Sequence, residues 1–441
     1  MKGQALIARI ADADLTLPTG RVHRISATSV QADGPDVPLG TLCAIEVRGP
    51  EGRGRMLAET ARIDRDSVTL VPLETAGETF LDARVSATDR HGRVPVGDAF
   101  LDRAIDALGR PIDGYAPIPA GAERRPLRAG ETAPLTRETP RRMIATGIAA
   151  IDAFLPLGRG QRIGIFAASG VGKTTLMTQL ARQMEADICI MCLIGERGRE
   201  VETLWSDALD ADARARSVLV AATSDQSAAM RVRAADYALV LAEYWRAQGR
   251  HVLLLLDSVT RLAMAMREIG LAAGEPPTVR AYTPGVFAKL PKLVERCGAL
   301  KDSGSITAVM TVLSETDDLD DPISETMKSI LDGHILLSRT LAEQGQYPAI
   351  DIAASVSRFA AQVVEPEKYA AAMRLAGLLG RYDEAHVLIE TGVYEAGSDA
   401  EIDEAIAKRP ALRALMRQAP TAFLQPDETW REIETLAEPS R

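Results

Sequence analysis

From Met143 to about Ala361, short and nearly unbroken apolar runs alternate with stretches in which apolar residues recur at helical spacing. The runs are GIFAA, ADICIMCLIG, SVLVAAT, HVLLLLD, SITAVMTVL and GHILLSR. Strands without polar alternation, separated by helices, predict a parallel sheet covered on both faces. Ligands bind such sheets at the carboxyl ends of the strands. From Arg21 to about Val85 the text changes to VHRISATSV, TLCAIEV and DSVTLVPL, punctuated by Gly34-Pro35, Gly49-Pro50 and Gly52 to Gly54. Short strands at such intervals predict a small closed β-barrel.

Between these regions, residues 86 to about 145 carry Pro111, Pro117, Pro119, Pro126, Pro134 and Pro140. The prolines predict a segment without regular elements that runs over the surface of the next domain. From about Pro366, AAAMRLAGLLGRYDEAHVLIETG and DAEIDEAIAKRPALRALMRQ predict amphipathic helices, the second interrupted at Pro410. In residues 1 to 20, Leu6, Ile7 and Ile10 form either one apolar helical edge or a lead-in to the first strand.

At 441 residues the chain exceeds one hydrophobic core, so two to four domains are expected. Its 46% hydrophobic and 25% charged residues are those of an ordinary globular protein. With 51 basic and 61 acidic side chains the net charge is −10, which excludes a global attraction to nucleic acid or anionic lipid. No apolar run approaches the roughly 20 residues that span a bilayer, and the N-terminal text lacks the features of a secretory signal. Four cysteines in a chain of this length suggest a reducing compartment. Cys189 and Cys192 form a C-x-x-C, but they lie in an apolar strand where positions i and i+3 face opposite sides, so both are expected in the core.

The candidate chemistry begins at Gly164 to Leu180, GIFAASGVGKTTLMTQL. Ala167, Ala168, Ser169, Gly170, Val171, Gly172, Lys173 and Thr174 fill the eight positions of a Walker A loop, with Ala in place of the first Gly. Small residues let successive backbone N–H groups converge on phosphate, and the following helix N-terminus adds to that field. Lys173 reaches the β and γ phosphates in such a loop, and Thr174 supplies a hydroxyl to Mg²⁺. Leu176, Met177, Leu180 and Met184 continue at helical spacing. HVLLLLD ends in Asp257, the Walker B position that holds the metal shell. Another strand ends in Gly195-Glu196-Arg197-Gly198-Arg199-Glu200. There Glu196 is the candidate base for in-line attack, Arg197 stabilises charge and Glu200 lies near the metal.

ASGVGKTT, GERGREV, LLLLDSVTR, GEPPTVRAYTPGVFAKLPKLVERCG and YPAIDIAASVSR together resemble the ATPases of bacterial type III protein export, the flagellar branch first and the injectisome branch second. That family is in turn similar to the catalytic subunits of rotary ATP synthases. The resemblance implies an α/β fold: a RecA-like P-loop core, residues 86–365, between an N-terminal barrel assembly domain, 1–85, and a C-terminal helical domain, 366–441. It implies ATP and Mg²⁺ as cofactors. Catalytic roles fall to Glu196, Arg197, Lys173 and Arg358, nucleotide contacts to Ser169, Gly170, Val171, Gly172, Lys173, Thr174, Thr175 and Tyr347, and metal contacts to Thr174, Asp257 and Glu200. Arg358, closing SVSR, matches the arginine that a neighbouring subunit inserts, and Tyr347 the aromatic that stacks on adenine. Arg261 stands nearby on the helix after Asp257.

The implied assembly is a homohexamer in the cytoplasm, peripheral to the inner-membrane export apparatus. Its implied partners are a stator-like regulatory protein, a stalk-like coiled-coil protein, the export gate, export substrates and their chaperones, with no nucleic acid. Residues 1–12 offer only a reduced version of the helix that docks the regulator. Tyr282 to Val294 resembles a loop directed at the central channel, or else Val286, Phe287 and Leu290 are core. Ser314 or Glu315 either senses the γ-phosphate or belongs to a solvated turn. A hexameric RNA helicase would need aromatic residues on its N-terminal domain, whereas residues 21–85 hold only Phe80. A non-catalytic ring subunit would lack Glu196. For a rotary synthase subunit the N-terminal region is shorter than expected, and GVFAKLPKLVERCG follows the export branch.

Overall fold

The computed structural model describes residues 18–438 apart from 51, 75–76, 90–91, 120–122, 129, 131 and 314–320. Leu6, Ile7, Ile10, Ser314 and Glu315 therefore lie outside the described residues.

The N-terminal strands close on themselves. In order around the barrel they are Gly52–Ile63, Val68–Pro72, Val30–Ala32, Thr19–Ile25, Arg84–Asp89 and Leu42–Gly49, and the last pairs again with the first. Alternation along them turns Val22, Val30, Ile45, Val47, Met56, Leu70 and Val85 inward to one apolar cluster. Closure leaves no long edge to pair with another chain.

The central sheet runs Ile350–Ser357, Gly333–Leu337, Arg162–Ala167, Ser305–Leu313, His251–Asp257, Ile188–Ile194, Ser217–Ala222 and Arg103–Ile105. These pairings are parallel except that between the first two strands, which is antiparallel. Every residue of Ile188–Ile194 and His251–Asp257 is buried, because helices cover both faces. Helices Ala228–Arg246, Val259–Ala272 and Pro284–Glu295 pack on one face. Lys173–Gln183 packs on the other with the C-terminal helices, through Leu176, Leu180, Leu375, Leu412 and Trp430. Cys189 and Cys192 are both buried and belong to opposite faces, as the strand period requires.

Three expectations are corrected or decided here. The proline-rich stretch contains regular elements: Arg93–Val96 pairs with Glu123–Pro126, and Arg103–Ile105 joins the parallel sheet beside Ser217–Ala222. Phe100 and Ile105 are fully buried, so tertiary burial outweighs the breaking tendency of the flanking prolines. Helix Ala400–Met416 continues through Pro410. Pro410 sits on the exposed side, while Ala405, Leu412 and Leu415 pack both halves of the helix onto the core. Within Tyr282 to Val294, residues Pro284–Glu295 form a helix in which Val286 and Leu290 are fully buried, the core reading of that segment. Phe287 is partly buried against the same cluster.

Candidate active site

Strand Arg162–Ala167 delivers the chain to the loop, and helix Lys173–Gln183 leaves it. Gly170 and Gly172 have φ of +82° and +95°, the left-handed region that side chains avoid and a phosphate-wrapping turn requires. A Cβ at Gly172 would come into van der Waals contact with the Tyr347 ring, at 3.4 Å. Tyr347 thus lies against the loop with its side chain half exposed, and its carbonyl accepts a 2.8 Å bond from the Gln418 backbone of the C-terminal segment. Val171 is buried, whereas Ser169, Gly170, Thr174 and Thr175 stay open to the surface.

Two neighbouring strands bring the acids to Lys173. Leu193 is in register with Asp257, so Asp257, at its strand's end, and Glu196, two residues past the end of its own, meet above the sheet. The Lys173 ammonium bonds Asp257 Oδ1 and lies 3.7 Å from Glu196 Oε1. Helix Val259–Ala272 begins just beyond Asp257, capped by the Ser258 side chain, and its first turn aims Arg261 back at the site. Arg261 Nη2 is 3.4 Å from Glu196 Oε2, and Nη1 donates to the Gly195 carbonyl. Lys173, Glu196, Asp257 and Arg261 form a cluster of two cations and two acids under the loop.

Glu196 is only 6% exposed, and its Oε1 has no hydrogen-bond partner. Burial, then the neighbouring Glu200 carboxyl and the charge of Asp257, push its carboxyl up to about 7 against the pull of Lys173 and Arg261. A buried acceptor that titrates near neutrality is suited to take a proton from water. Thr174, Glu196, Glu200 and Asp257 line one cavity, floored by Met177, Met191, Leu193, Leu204 and Leu255. Among the described residues no cluster of three or more His, Cys, Asp or Glu side chains could hold a metal alone. The donor set fits Mg²⁺ nonetheless, since this ion is bound through one or two carboxylates together with substrate phosphates and water.

Two expected residues are not gathered into this cluster. Arg197 is largely exposed, with Glu200 4.0 Å away. Arg358 follows the edge strand Ile350–Ser357, whose end pairs at Gly333, the start of its antiparallel neighbour. It therefore lies at the edge of the sheet opposite the phosphate loop, exposed, with Nη2 donating to the Lys328 carbonyl at 3.2 Å. One residue joins the site unexpected from sequence. Thr311 donates a 2.6 Å hydrogen bond to Asp257 Oδ1. Its signal was a lone hydroxyl near the end of the apolar run SITAVMTVL.

A glycine-rich loop ending in lysine, a strand-terminal aspartate and a second buried acid on a parallel sheet define a RecA-like P-loop nucleotide-binding protein. Residues 147–357 match the nucleotide-binding domain of the ATP synthase alpha/beta family, and residues 364–435 match the C-terminal domain of the type III secretion ATPase EscN. The flagellum-specific ATP synthase of Bacillus subtilis is 43% identical over 95% of each chain. The type 3 secretion system ATPase of Xanthomonas euvesicatoria is 45% identical over 94% of this chain and 93% of its own. The assembled EscN of enteropathogenic E. coli superposes with a TM-score of 0.89 at 40% identity, covering 95% of this chain and all of EscN. The chain belongs to the ATPase family that unites flagellum-specific ATP synthases with type 3 secretion system ATPases. It is a P-loop ATPase.

Proposed function

We propose that this ATPase energises type III protein export, in the flagellar apparatus, by hydrolysing MgATP in a ring of six copies. The observation that carries the catalytic reading is the buried Glu196 carboxylate beside Lys173 and Asp257. Lys173 and the loop amides from Ser169 to Thr175 hold the β and γ phosphates, drawing Lys173 from Asp257 to the substrate. Glu196 accepts a proton from a water molecule whose oxygen bonds to the γ-phosphorus. The bond from that phosphorus to the bridging oxygen breaks, and ADP and phosphate leave. Thr174, Asp257 and Glu200 would hold Mg²⁺, which when bound neutralises charge on the β and γ oxygens. Tyr347, packed on Gly172, stacks on the adenine.

Arg358 serves the adjacent copy, a reading supported by its exposure at the far edge of its own sheet. Arg197, turned outward, contacts phosphate once that interface forms. An arginine supplied in trans contributes about 10³- to 10⁵-fold in rate, enough to make assembly a switch. The relative solved with its central stalk EscO, at a TM-score of 0.86, supports a stalk-like partner. The stator-like regulator, export gate, substrates and chaperones complete the set, with division at residues 85 and 365 into assembly, catalytic and helical domains. The proposed location is peripheral, at the cytoplasmic side of the inner-membrane export apparatus; among the described residues no helix is long and apolar enough to cross a membrane. The injectisome is the second reading, favoured by the match of residues 364–435. In a strain lacking its own flagellar export ATPase, the chain is expected to restore secretion of flagellar substrates and Glu196→Gln to fail. Restoration by the Gln variant would overturn hydrolysis as the energy source. Restoration only in an injectisome strain would move the chain to that branch.

A further inference from the structure

We infer that Thr311 is a positioning residue that orients Asp257 for the metal–nucleotide complex. The inference rests on the reading of Asp257 as the metal-side acid. Strand Ser305–Leu313 lies between the strand that feeds the phosphate loop and the strand that ends in Asp257. Ile165 is in register with Thr311, and Leu256 with Met310, so Thr311 stands directly beside Asp257 on the face covered by the loop helix. Thr311 is fully buried. Val309, two residues earlier on that face, is apolar, and a valine at 311 would match the shape of threonine. A hydroxyl in such a place is costly unless it is bonded. Its bond goes to Asp257 Oδ1 at 2.6 Å.

The same oxygen accepts from Lys173. When Lys173 turns to the phosphates, Thr311 stays as the fixed donor to Asp257. The χ2 torsion of an aspartate is broad and has no intrinsic preferred well sharp enough to aim the carboxylate. Pinning Oδ1 assigns Oδ2 to the cavity that Asp257 lines with Thr174, Glu196 and Glu200. The donor is itself held rigidly. Thr260 Oγ1 accepts from the Leu313 backbone N–H at 2.8 Å and donates to the Leu313 carbonyl at 3.3 Å, locking the strand end to the helix that follows Asp257. Partners of this kind, which orient a ligand without touching the metal, typically change metal affinity by about 10- to 100-fold when removed.

The test titrates Mn²⁺ into the full chain bound to ADP and reads the bound ion by electron paramagnetic resonance, with ADP affinity in EDTA measured separately. Thr311→Val is expected to weaken Mn²⁺ by about 10- to 100-fold with ADP affinity in EDTA unchanged. Thr311→Ser, which keeps the hydroxyl, restores Mn²⁺ affinity. Wild-type Mn²⁺ affinity in Thr311→Val, alongside a loss in Asp257→Asn, would overturn the role of Thr311 and spare that of Asp257. An equal loss of ADP affinity in EDTA would overturn it too, as the mark of a merely structural residue. Unchanged Mn²⁺ affinity in Asp257→Asn would instead overturn the reading of Asp257 on which the inference stands.

Discussion

Replacing Arg261 by methionine is expected to move the acid limb of ATP hydrolysis toward alkaline pH. In its proposed role as base Glu196 must be ionised to accept a proton, so activity is expected to be lost as pH falls through its pKa of about 7. By simple titration its ionised fraction is about a tenth at pH 6 and about nine-tenths at pH 8, so wild-type kcat/KM rises about tenfold across that interval. Arg261 Nη2 stands 3.4 Å from Glu196 Oε2, with its side chain 32% exposed. Even at the dielectric of bulk water, which discounts fully for that exposure, unit charges so spaced interact by about 1.2 kcal/mol. Removing the cation therefore raises the midpoint by about 0.9 pH unit, to about 8. Lys173, which also holds the carboxyl down, and Asp257 and Glu200, which hold it up, remain in the variant. The assay is initial phosphate release at low ATP across the pH range, since kcat/KM reports the free enzyme. A midpoint that stays in place or moves acid would refute Glu196 as the titrating base.

Further outcomes follow from the same geometry. Lys173→Ala removes a charge-assisted grip on phosphate and should weaken ATP binding by about 1.5–3 kcal/mol in calorimetry. Tyr347→Ser should cost about 1–3 kcal/mol of ATP affinity through lost stacking, with binding of inorganic tripolyphosphate unchanged. Arg358→Ala and Glu196→Gln are each expected to be inactive as rings. Mixed in equal amounts they should regain about a quarter of the wild-type sites, because some interfaces then pair an intact glutamate with an intact arginine. Absence of any recovery in rings of normal size would remove the shared-site arrangement.

The glycine-rich loop was legible because its geometry is local: Gly170, Val171, Gly172, Lys173 and Thr174 follow one another, and left-handed backbone at Gly170 and Gly172 is a requirement that sequence displays directly. That Asp257 and Glu196 come together beside Lys173 was legible because parallel strands put their ends at one edge of the sheet. Arg103–Ile105 was hidden, since its strand identity comes from pairing with Ser217–Ala222, more than a hundred residues away, against a background of prolines. The continuity of the helix through Pro410 was hidden likewise, because the packing of Ala405 and Leu412 that sustains it is tertiary. Thr311 was visible as a residue and mute as a role, because nothing local says which carboxylate its hydroxyl meets. Asp152 is a similar case. It is fully buried and accepts bonds from Thr146 N, Thr146 Oγ1 and Gly147 N at 2.9, 2.7 and 3.0 Å, in the turn whose Gly147 carbonyl and Ala149 N–H bond the side chain of Gln418, the residue that also reaches Tyr347.

The most direct measurement is of Glu196→Gln, in which ATP affinity and a single turnover of bound ATP are read on the same protein. The amide keeps the shape of the side chain and cannot take a proton from water. Affinity close to wild type with the single turnover slowed by about 10²- to 10⁴-fold is the expected result. A single turnover at the wild-type rate would contradict the account, because the water would then be activated without the buried carboxylate beside Lys173.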